Sequence, residues 1–171
     1  DFITVHIQYP GSRPLIPDVP QGVPAPSTMA YVENYLPYLM TSHVAEGEQY
    51  TYGQYLEKQI GEVIRMYKED GHNTNQAFMA VGDAASLKLS DPPCLRMIDT
   101  RIRYGKLHFV VYFRSWDLWA GFPSNLAGIQ LLKEYMAGEI GVEDGEIIAV
   151  SKGMHLYEYV WETARVAARM T

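Results

Sequence analysis

Two strand-like segments separated by a two-residue turn constrain this sequence more than any other feature. Leu95–Arg103 and Lys106–Phe113 both contain β-branched or aromatic residues, and Tyr104-Gly105 lies between them. This pattern predicts a β-hairpin. The two outer ends of a hairpin lie side by side. We therefore expect Cys94, before the first strand, and Arg114, after the second, to be neighbours in space.

Hydrophobic periodicity divides the rest of the chain into helices and strands around this hairpin. Helices are predicted at Thr28–Met40 (short or kinked, because of Pro37), Gln54–Glu69, Asn125–Ile140 and His155–Arg169. Strands are predicted at Phe2–Tyr9, Gln76–Val81 and Glu146–Ser151. The segment 10–26 is rich in proline and 82–91 is polar, so both are expected to be irregular. A strand-rich centre with flanking helices predicts one α+β domain over residues 1–171.

Composition narrows the functional classes. The net charge of -6 argues against a nucleic-acid or membrane surface, because both require positive potential. One cysteine cannot form an internal disulfide, which favours a reducing, cytoplasmic location. The five histidines and the cysteine show no metal-ligand spacing, so no metal site is predicted. Because Asp1 leads directly into a strand-like segment, we expect the true N-terminus to be missing from this sequence.

Cys94 is the first candidate catalytic residue. A lone cysteine is more often an inert buried residue than a nucleophile. Two features favour the nucleophile: Pro92-Pro93 fixes the approaching backbone in an extended form, and the predicted proximity of Arg114 favours the thiolate. Arg114 and Ser115 also offer a guanidinium and a hydroxyl suited to phosphate oxygens, although an arginine at a strand end is commonly a plain surface residue.

Four further residues are candidates for ligand binding: Asp117, Asn125, His155 and Tyr157. Asn125 is interpreted in two ways. It either caps the helix that begins there, or presents its amide to a ligand edge that has a carbonyl beside an N–H. Residues 155 and 157 do not share a helical face, so they converge on one ligand only if this segment is a turn. In isolation they would be structural.

Taken together, these motifs resemble the thymidylate synthase family. The family's Pro-Cys nucleophile matches Pro93-Cys94, and its strand-borne Arg-Ser-x-Asp matches 114–117. Its Gly-x-Pro-x-Asn matches 121–125, although the usual aromatic before the asparagine is Ser124 here. Its His-x-Tyr matches 155–157, and a Tyr-Gly matches Tyr52-Gly53. The resemblance covers the chain from Tyr52 to its end, without a gap between Cys94 and Tyr157.

This resemblance implies a mixed or antiparallel sheet with flanking helices, in a homodimer. It also implies reductive methylation of dUMP at C5, with 5,10-methylenetetrahydrofolate as the co-substrate. Cys94 would add to C6 of the base, and C5 would then attack the methylene group carried by the folate. The resemblance implies that Arg114 and Ser115 bind the phosphate, that Asn125 reads the base, and that His155 and Tyr157 bind the ribose. It also implies that Asp117 orders the base and pterin side of the pocket. Tyr52 would belong to the hydrogen-bond network that removes the C5 proton.

The sequence departs from the family at one phosphate contact. Adjacent arginines that the family contributes across the dimer correspond here to Thr74 and Asn75. This loses charge-assisted hydrogen bonds of about 1.5–3 kcal/mol each, unless a cation such as Arg65 or Arg96 compensates.

Two alternative functions stay open at this point. One is a pyrimidine nucleotide (dUMP or dCMP) 5-hydroxymethylase, in which water replaces hydride. Which of the two reactions occurs depends on how well the exocyclic methylene is shielded from water. Trp116 and Trp119 either provide that shield or belong to the core. The other is an idle nucleotide-binding relative. Thr74 and Asn75 favour the idle protein, whereas retention of Cys94 argues against it.

Overall fold

The computed structural model describes residues 1–19 and 21–169. Its helices are α1 (Met29–Met40), α2 (Gly53–Glu69), α3 (Gly121–Ile140) and α4 (Trp161–Ala167), with 3-10 turns at Ala85–Lys88 and Glu158–Val160. Its strands are β1 (Ile3–Ile7), β2 (Phe78–Ala80), β3 (Leu95–Arg103), β4 (Lys106–Phe113), β5 (Trp116–Asp117), β6 (Glu143–Ser151) and β7 (Met154–His155). The predicted α+β class is confirmed.

The main sheet has five strands in the order β1-β6-β4-β3-β2. β4 and β6 pair in parallel, and the other neighbours pair antiparallel, so the sheet is mixed. A parallel pair needs a crossover connection, which α3 provides. The hairpin β3–β4 has the predicted bounds. Tyr104 and Gly105 have φ values of 53° and 72°, the left-handed conformations that a type I′ turn requires.

The core lies on the face of the sheet where α2 and α3 pack, and α1 packs against these two helices. Alternate residues of β3 and β4, among them Ile98, Phe109 and Val111, are fully buried on this face. The intervening residues point to the opposite face and stay partly exposed. Within the described part of the chain, no helix covers that second face.

Two helix predictions need correction. The predicted helix His155–Arg169 is much shorter, because Met154–His155 is recruited as β7 beside β5 and α4 begins only at Trp161. The predicted start of α3 at Asn125 lies four residues too late, since the helix begins at Gly121. α1 runs as one helix through Pro37.

A close approach between α1 and α3 depends on Gly128. A Cβ at this position would lie 2.4 Å from Tyr35 Cδ1, and the Tyr35 ring is buried. Gly138 lies in the same helix, and a Cβ there would meet nothing within 4 Å.

We predict that Gly128→Ala lowers the free energy of unfolding by about 1–3 kcal/mol, because the added methyl must displace the Tyr35 ring. The matched control Gly138→Ala should be neutral or stabilise the protein by up to about 1 kcal/mol. Urea denaturation measures both. Equal effects of the two substitutions would contradict the packing described.

Candidate active site

The open end of the hairpin brings Cys94 and Arg114 together. The Arg114 backbone N–H donates to the Cys94 carbonyl oxygen at 2.8 Å. The Arg114 side chain folds back along the preceding loop, where Nε donates to the Pro92 and Pro93 carbonyl oxygens at 3.2 and 3.3 Å. Its Nη2 donates to the Pro92 oxygen at 2.5 Å and to Asp91 Oδ1 at 2.9 Å. The guanidinium is therefore held against the loop that carries the thiol.

The Cys94 thiol is partly buried and lies near one positive and one negative side chain. Burial raises the pKa of the Cys94 thiol above its ordinary value, because a thiolate is poorly solvated there. The Arg114 guanidinium lowers this pKa, whereas the Asp91 carboxylate raises it. The free protein therefore favours the neutral thiol at physiological pH, and a change at either charged side chain shifts the thiolate fraction.

A cluster of tyrosines lies beside the thiol. Its members come from α1 and from the segment before α2: Tyr31, Tyr35, Tyr38, Tyr50 and Tyr52. Tyr52 Oη accepts from the Leu95 N–H at 3.3 Å, which ties this ring to the residue after the thiol. Burial raises the pKa of Tyr52 well above its ordinary value and that of Tyr50 to about 12. Both phenols are therefore neutral at physiological pH and able to donate a proton in a hydrogen bond.

Two adjoining cavities open beside this cluster and share Tyr31 and Asn125 in their linings. The first cavity, about 400 Å³, is also lined by Asn34, Tyr35, Tyr38, Glu48 and Tyr52. The second, about 580 Å³, is also lined by residues 25–28, Asp117, Ala120, Gly121, Ser124 and Tyr157. Four sequence-predicted site residues from separate segments thus surround neighbouring cavities: Tyr52, Asp117, Asn125 and Tyr157.

Asn125 is fixed by a tryptophan. It lies inside α3, which begins at Gly121, so the alternative interpretation of Asn125 as the helix cap is wrong. The Trp116 Nε1–H donates to Asn125 Oδ1 at 3.0 Å. Trp116 is only 2% exposed and stacks on Phe113 with ring centroids 4.0 Å apart. The amide of Asn125 is therefore anchored to a rigid part of the core.

Asp117 holds the backbone just before α3, whose N-cap residue is Ala120. Its carboxylate accepts hydrogen bonds from the backbone N–H groups of Trp119, Ala120 and Gly121 at 3.0, 3.1 and 3.3 Å. Acceptors at this position satisfy the unpaired donors of a helix start. Asp117 also pairs with His155 in the short parallel ribbon of β5 and β7. It thereby joins the second cavity to the His155 segment.

His155 and Tyr157 converge because their segment is not helical. His155 lies in β7, and Tyr157 has an extended backbone with φ −70° and ψ 146°. Their rings pack edge-on with centroids 4.9 Å apart. Ser115 is partly buried and directly precedes β5. It lies beside Gly153, which directly precedes β7, because a Cβ on Gly153 would be 3.5 Å from the Ser115 Cα. The predicted sugar and phosphate residues therefore flank one ribbon.

Comparison with known proteins identifies the family of this chain. The family model for thymidylate synthase matches residues 41–169. The chain belongs to the thymidylate synthase family. The resemblance in its motifs is thereby confirmed.

Relatives and a solved structure agree with this family. A protein of Methanosarcina acetivorans, named "Putative thymidylate synthase", is 34% identical over 137 residues, which cover 77% of this chain and 63% of that relative. A Listeria monocytogenes thymidylate synthase is 31% identical over 99 residues, which cover 58% of this chain and 32% of that relative. The crystal structure of T4 phage thymidylate synthase shares the fold, with a TM-score of 0.74 at 18% identity over 96% of this chain and 70% of that one.

Several lining residues of this thymidylate synthase homologue were not found by sequence reasoning. They are Tyr31, Asn34, Tyr35, Tyr38 and Glu48. The signal was present in part, because the three tyrosines at 31, 35 and 38 have helical i, i+4, i+7 spacing and so share one face of α1. The apolar periodicity of this segment predicts the helix without pointing to this tyrosine face.

The cations considered as replacements for Thr74 and Asn75 lie in different surroundings. Arg65 is paired with Glu62 and Glu69 on the surface of α2, at 2.7 and 2.8 Å. The Arg96 guanidinium lies against Gly82, where a Cβ would be 2.9 Å from its Nη1. A third cation, Arg101, donates to the Thr74 carbonyl oxygen. A guanidinium therefore lies beside position 74, although sequence reasoning did not name it.

The described ranges, 1–19 and 21–169, contain neither a candidate metal site nor a candidate membrane-spanning helix. No group of three or more histidine, cysteine, aspartate or glutamate residues is arranged to hold a metal ion. No helix in these ranges has the length and apolar character needed to cross a membrane.

We predict that Asp91→Asn lowers the pKa of the Cys94 thiol, because removal of a nearby negative charge stabilises the thiolate. The pH at which alkylation by iodoacetamide is half-maximal should therefore fall. Intact-mass kinetics across a pH series measure this. Asp70→Asn, at the distant end of α2, is the control and should leave the profile in place. An upward or absent shift in Asp91→Asn would refute the electrostatic assignment.

Proposed function

We propose that this protein methylates dUMP at C5 with 5,10-methylenetetrahydrofolate as the one-carbon donor, using Cys94 as a covalent nucleophile. The observation that carries this proposal is that Cys94 is bonded through its backbone to Arg114 and lies next to Leu95, which donates to Tyr52, a residue that lines the same cavity as Asn125. An anion-binding group, a thiol and a base-reading amide are the three elements that covalent chemistry on a pyrimidine nucleotide requires.

Arg114 and Ser115 bind the 5′-phosphate in this proposal. In the free protein, the Arg114 Nη2 is already paired with Asp91 at 2.9 Å, and the Asp91 side chain is 80% exposed. An exposed ion pair contributes about 0–1 kcal/mol, so a phosphate dianion can displace the carboxylate at small cost. The bonds from Arg114 to the Pro92 and Pro93 oxygens can persist, and they keep the phosphate side of the site next to the thiol.

Asn125 reads the base. Uracil presents N3–H and O4, which match the Oδ1 acceptor and Nδ2 donor of an amide. His155 and Tyr157, which pack against each other, bind the ribose hydroxyl. Asp117 orders the base and pterin side from its place in the second cavity, where its backbone hydrogen bonds fix the carboxylate.

Tyr52 contributes to removal of the C5 proton. Its pKa is raised by burial, so it acts as a neutral phenol that orders a hydrogen-bond network rather than as a phenolate base. Its bond from the Leu95 N–H keeps Oη beside the nucleophile loop. Cys94 attack on C6 makes C5 nucleophilic toward the methylene carbon. Loss of the C5 proton and of tetrahydrofolate then leaves an exocyclic methylene, and a hydride from the tetrahydrofolate reduces it to methyl as the thiol departs from C6.

A 5-hydroxymethylase is the second candidate, and one observation favours it. Neither tryptophan considered as a methylene shield lines the two cavities: Trp116 is buried in the core, and Trp119 lines a separate groove with Leu118 and Trp161. Water access to the reacting carbon is therefore not blocked by these rings. The product of dUMP turnover, dTMP or 5-hydroxymethyl-dUMP, separates the two reactions by mass.

We predict that 5-fluoro-dUMP with 5,10-methylenetetrahydrofolate forms a covalent ternary adduct, because fluorine at C5 cannot leave as the proton does. Intact-mass measurement should show the added mass of both ligands. Cys94→Ser is the control and should show no adduct. A folded preparation that forms no adduct, yet binds dUMP, would favour the idle nucleotide-binding relative instead.

We also propose that the protein is a homodimer that packs through the uncovered face of its main sheet. The register aligns Met97, Tyr112 and Val150 in one row across β3, β4 and β6, and Asp99, Val110 and Ile148 in the next. These side chains are only partly buried in the single chain, and Ile148 is 37% exposed. A partly exposed sheet face of this kind, apolar in these two rows apart from Asp99, suits a symmetric contact with a second copy. The cytoplasmic location stays a prediction.

We predict that Val110→Asp weakens this dimer at least about tenfold, because it places an unpaired carboxylate at the centre of the contact. Light scattering over a concentration series gives the dissociation constant. Val166→Asp, on the exposed surface of α4, makes the same change away from the sheet and should have no effect. A wild-type monomer, or equal dimerisation of Val110→Asp, would refute the proposed interface.

A further inference from the structure

The hydrogen bond from Trp116 to Asn125 fixes which way the amide faces. An indole N–H only donates, so the atom that faces it at 3.0 Å must be the amide oxygen rather than the NH₂ group. Trp116 cannot rotate away, because it is 2% exposed, stacks on Phe113 with ring centroids 4.0 Å apart and packs at an angle of 48° against Phe122 at 4.8 Å. The orientation of the Asn125 side chain is thus determined by the core.

This matters because a free asparagine amide is ambiguous as a base reader. In one orientation, Oδ1 and Nδ2 match the N3–H and O4 of uracil. After a 180° flip of the amide, the same two positions match the N3 and exocyclic amine of cytosine. A site that relies on an unrestrained amide therefore accepts either base.

We infer that Trp116 is a specificity-determining residue: its indole N–H blocks the amide flip in Asn125 and so restricts the site to uracil nucleotides. The inference rests on the proposed role of Asn125. A flipped amide would turn its NH₂ group toward the indole N–H, leaving two donors face to face and the buried N–H unpaired. The oxygen keeps a second lone pair for the N3–H of uracil. Trp116 acts through Asn125 and does not itself touch the base.

The test compares equilibrium binding of dUMP and dCMP, without folate, in wild type and in Trp116→Phe. Phenylalanine retains an aromatic ring between Phe113 and Phe122 but removes the donor. The ratio of the dCMP to the dUMP dissociation constant should fall on the order of tenfold, mainly through tighter dCMP binding. Trp119→Phe is the matched control, because this tryptophan lines a different groove, and its ratio should equal that of wild type.

The outcomes separate this inference from the proposed function. Wild-type protein that binds neither nucleotide would overturn both. Tight dUMP binding with an unchanged ratio in Trp116→Phe would overturn only the role of Trp116. If the phenylalanine variant does not fold, replacement of Trp116 by 3-benzothienylalanine, which exchanges the N–H for sulfur in the same ring shape, provides the same comparison. An unchanged ratio in that protein overturns the inference equally.

Discussion

The backbone hydrogen bond from the Arg114 N–H to the Cys94 carbonyl oxygen holds the candidate site together. It closes β3 and β4 at the end of the hairpin where the thiol lies, so the register of the sheet keeps Cys94 and Arg114 side by side. Register in a half-buried sheet is strongly specified, because a slip of one residue would turn every core side chain outward. The chemistry therefore depends on the burial of residues such as Ile98 and Phe109, which are remote from any ligand.

Sequence reasoning predicted the parts of this site that depend on local patterns. The hairpin bounds followed from two strand-like segments around Tyr104-Gly105, and hairpin geometry then implied the Cys94–Arg114 contact. The helix start at Gly121 was missed because Asn125 is a good cap residue. The N-cap is instead Ala120, and Asp117 holds this backbone from outside the helix by accepting from three N–H groups. The His155 segment was predicted as helix because its pairing with β5 is a long-range contact that periodicity cannot show.

The electrostatics of the site are less favourable to anions and thiolates than the motifs suggested. Burial raises the pKa of the Cys94 thiol, and Asp91 reinforces that effect while it occupies one edge of Arg114. Glu48 adds a further acidic group to the first cavity. In a site of this kind without a ligand, the thiol is mostly protonated and therefore weakly reactive. Binding of a nucleotide phosphate would release Arg114 from Asp91 and so couple occupation of the site to the environment of the thiol, which is one way to limit side reactions of a nucleophile.

The tyrosine cluster and Trp116 connect elements that the sequence places far apart. Tyr35 packs on α3 at Gly128, Tyr52 accepts from the residue after the nucleophile, and Trp116 joins the end of β4 to Asn125 on α3. The segment that carries the thiol and the amide of Asn125 are therefore each held by a buried aromatic ring, Tyr52 in the first case and Trp116 in the second. Aromatic side chains have few rotatable bonds, so they transmit position with little loss of conformational entropy. Because the amide orientation is set by the buried Trp116, the proposed base reading by Asn125 should depend little on solvent and salt, whereas the proposed phosphate contact at the partly exposed Arg114 should depend on both.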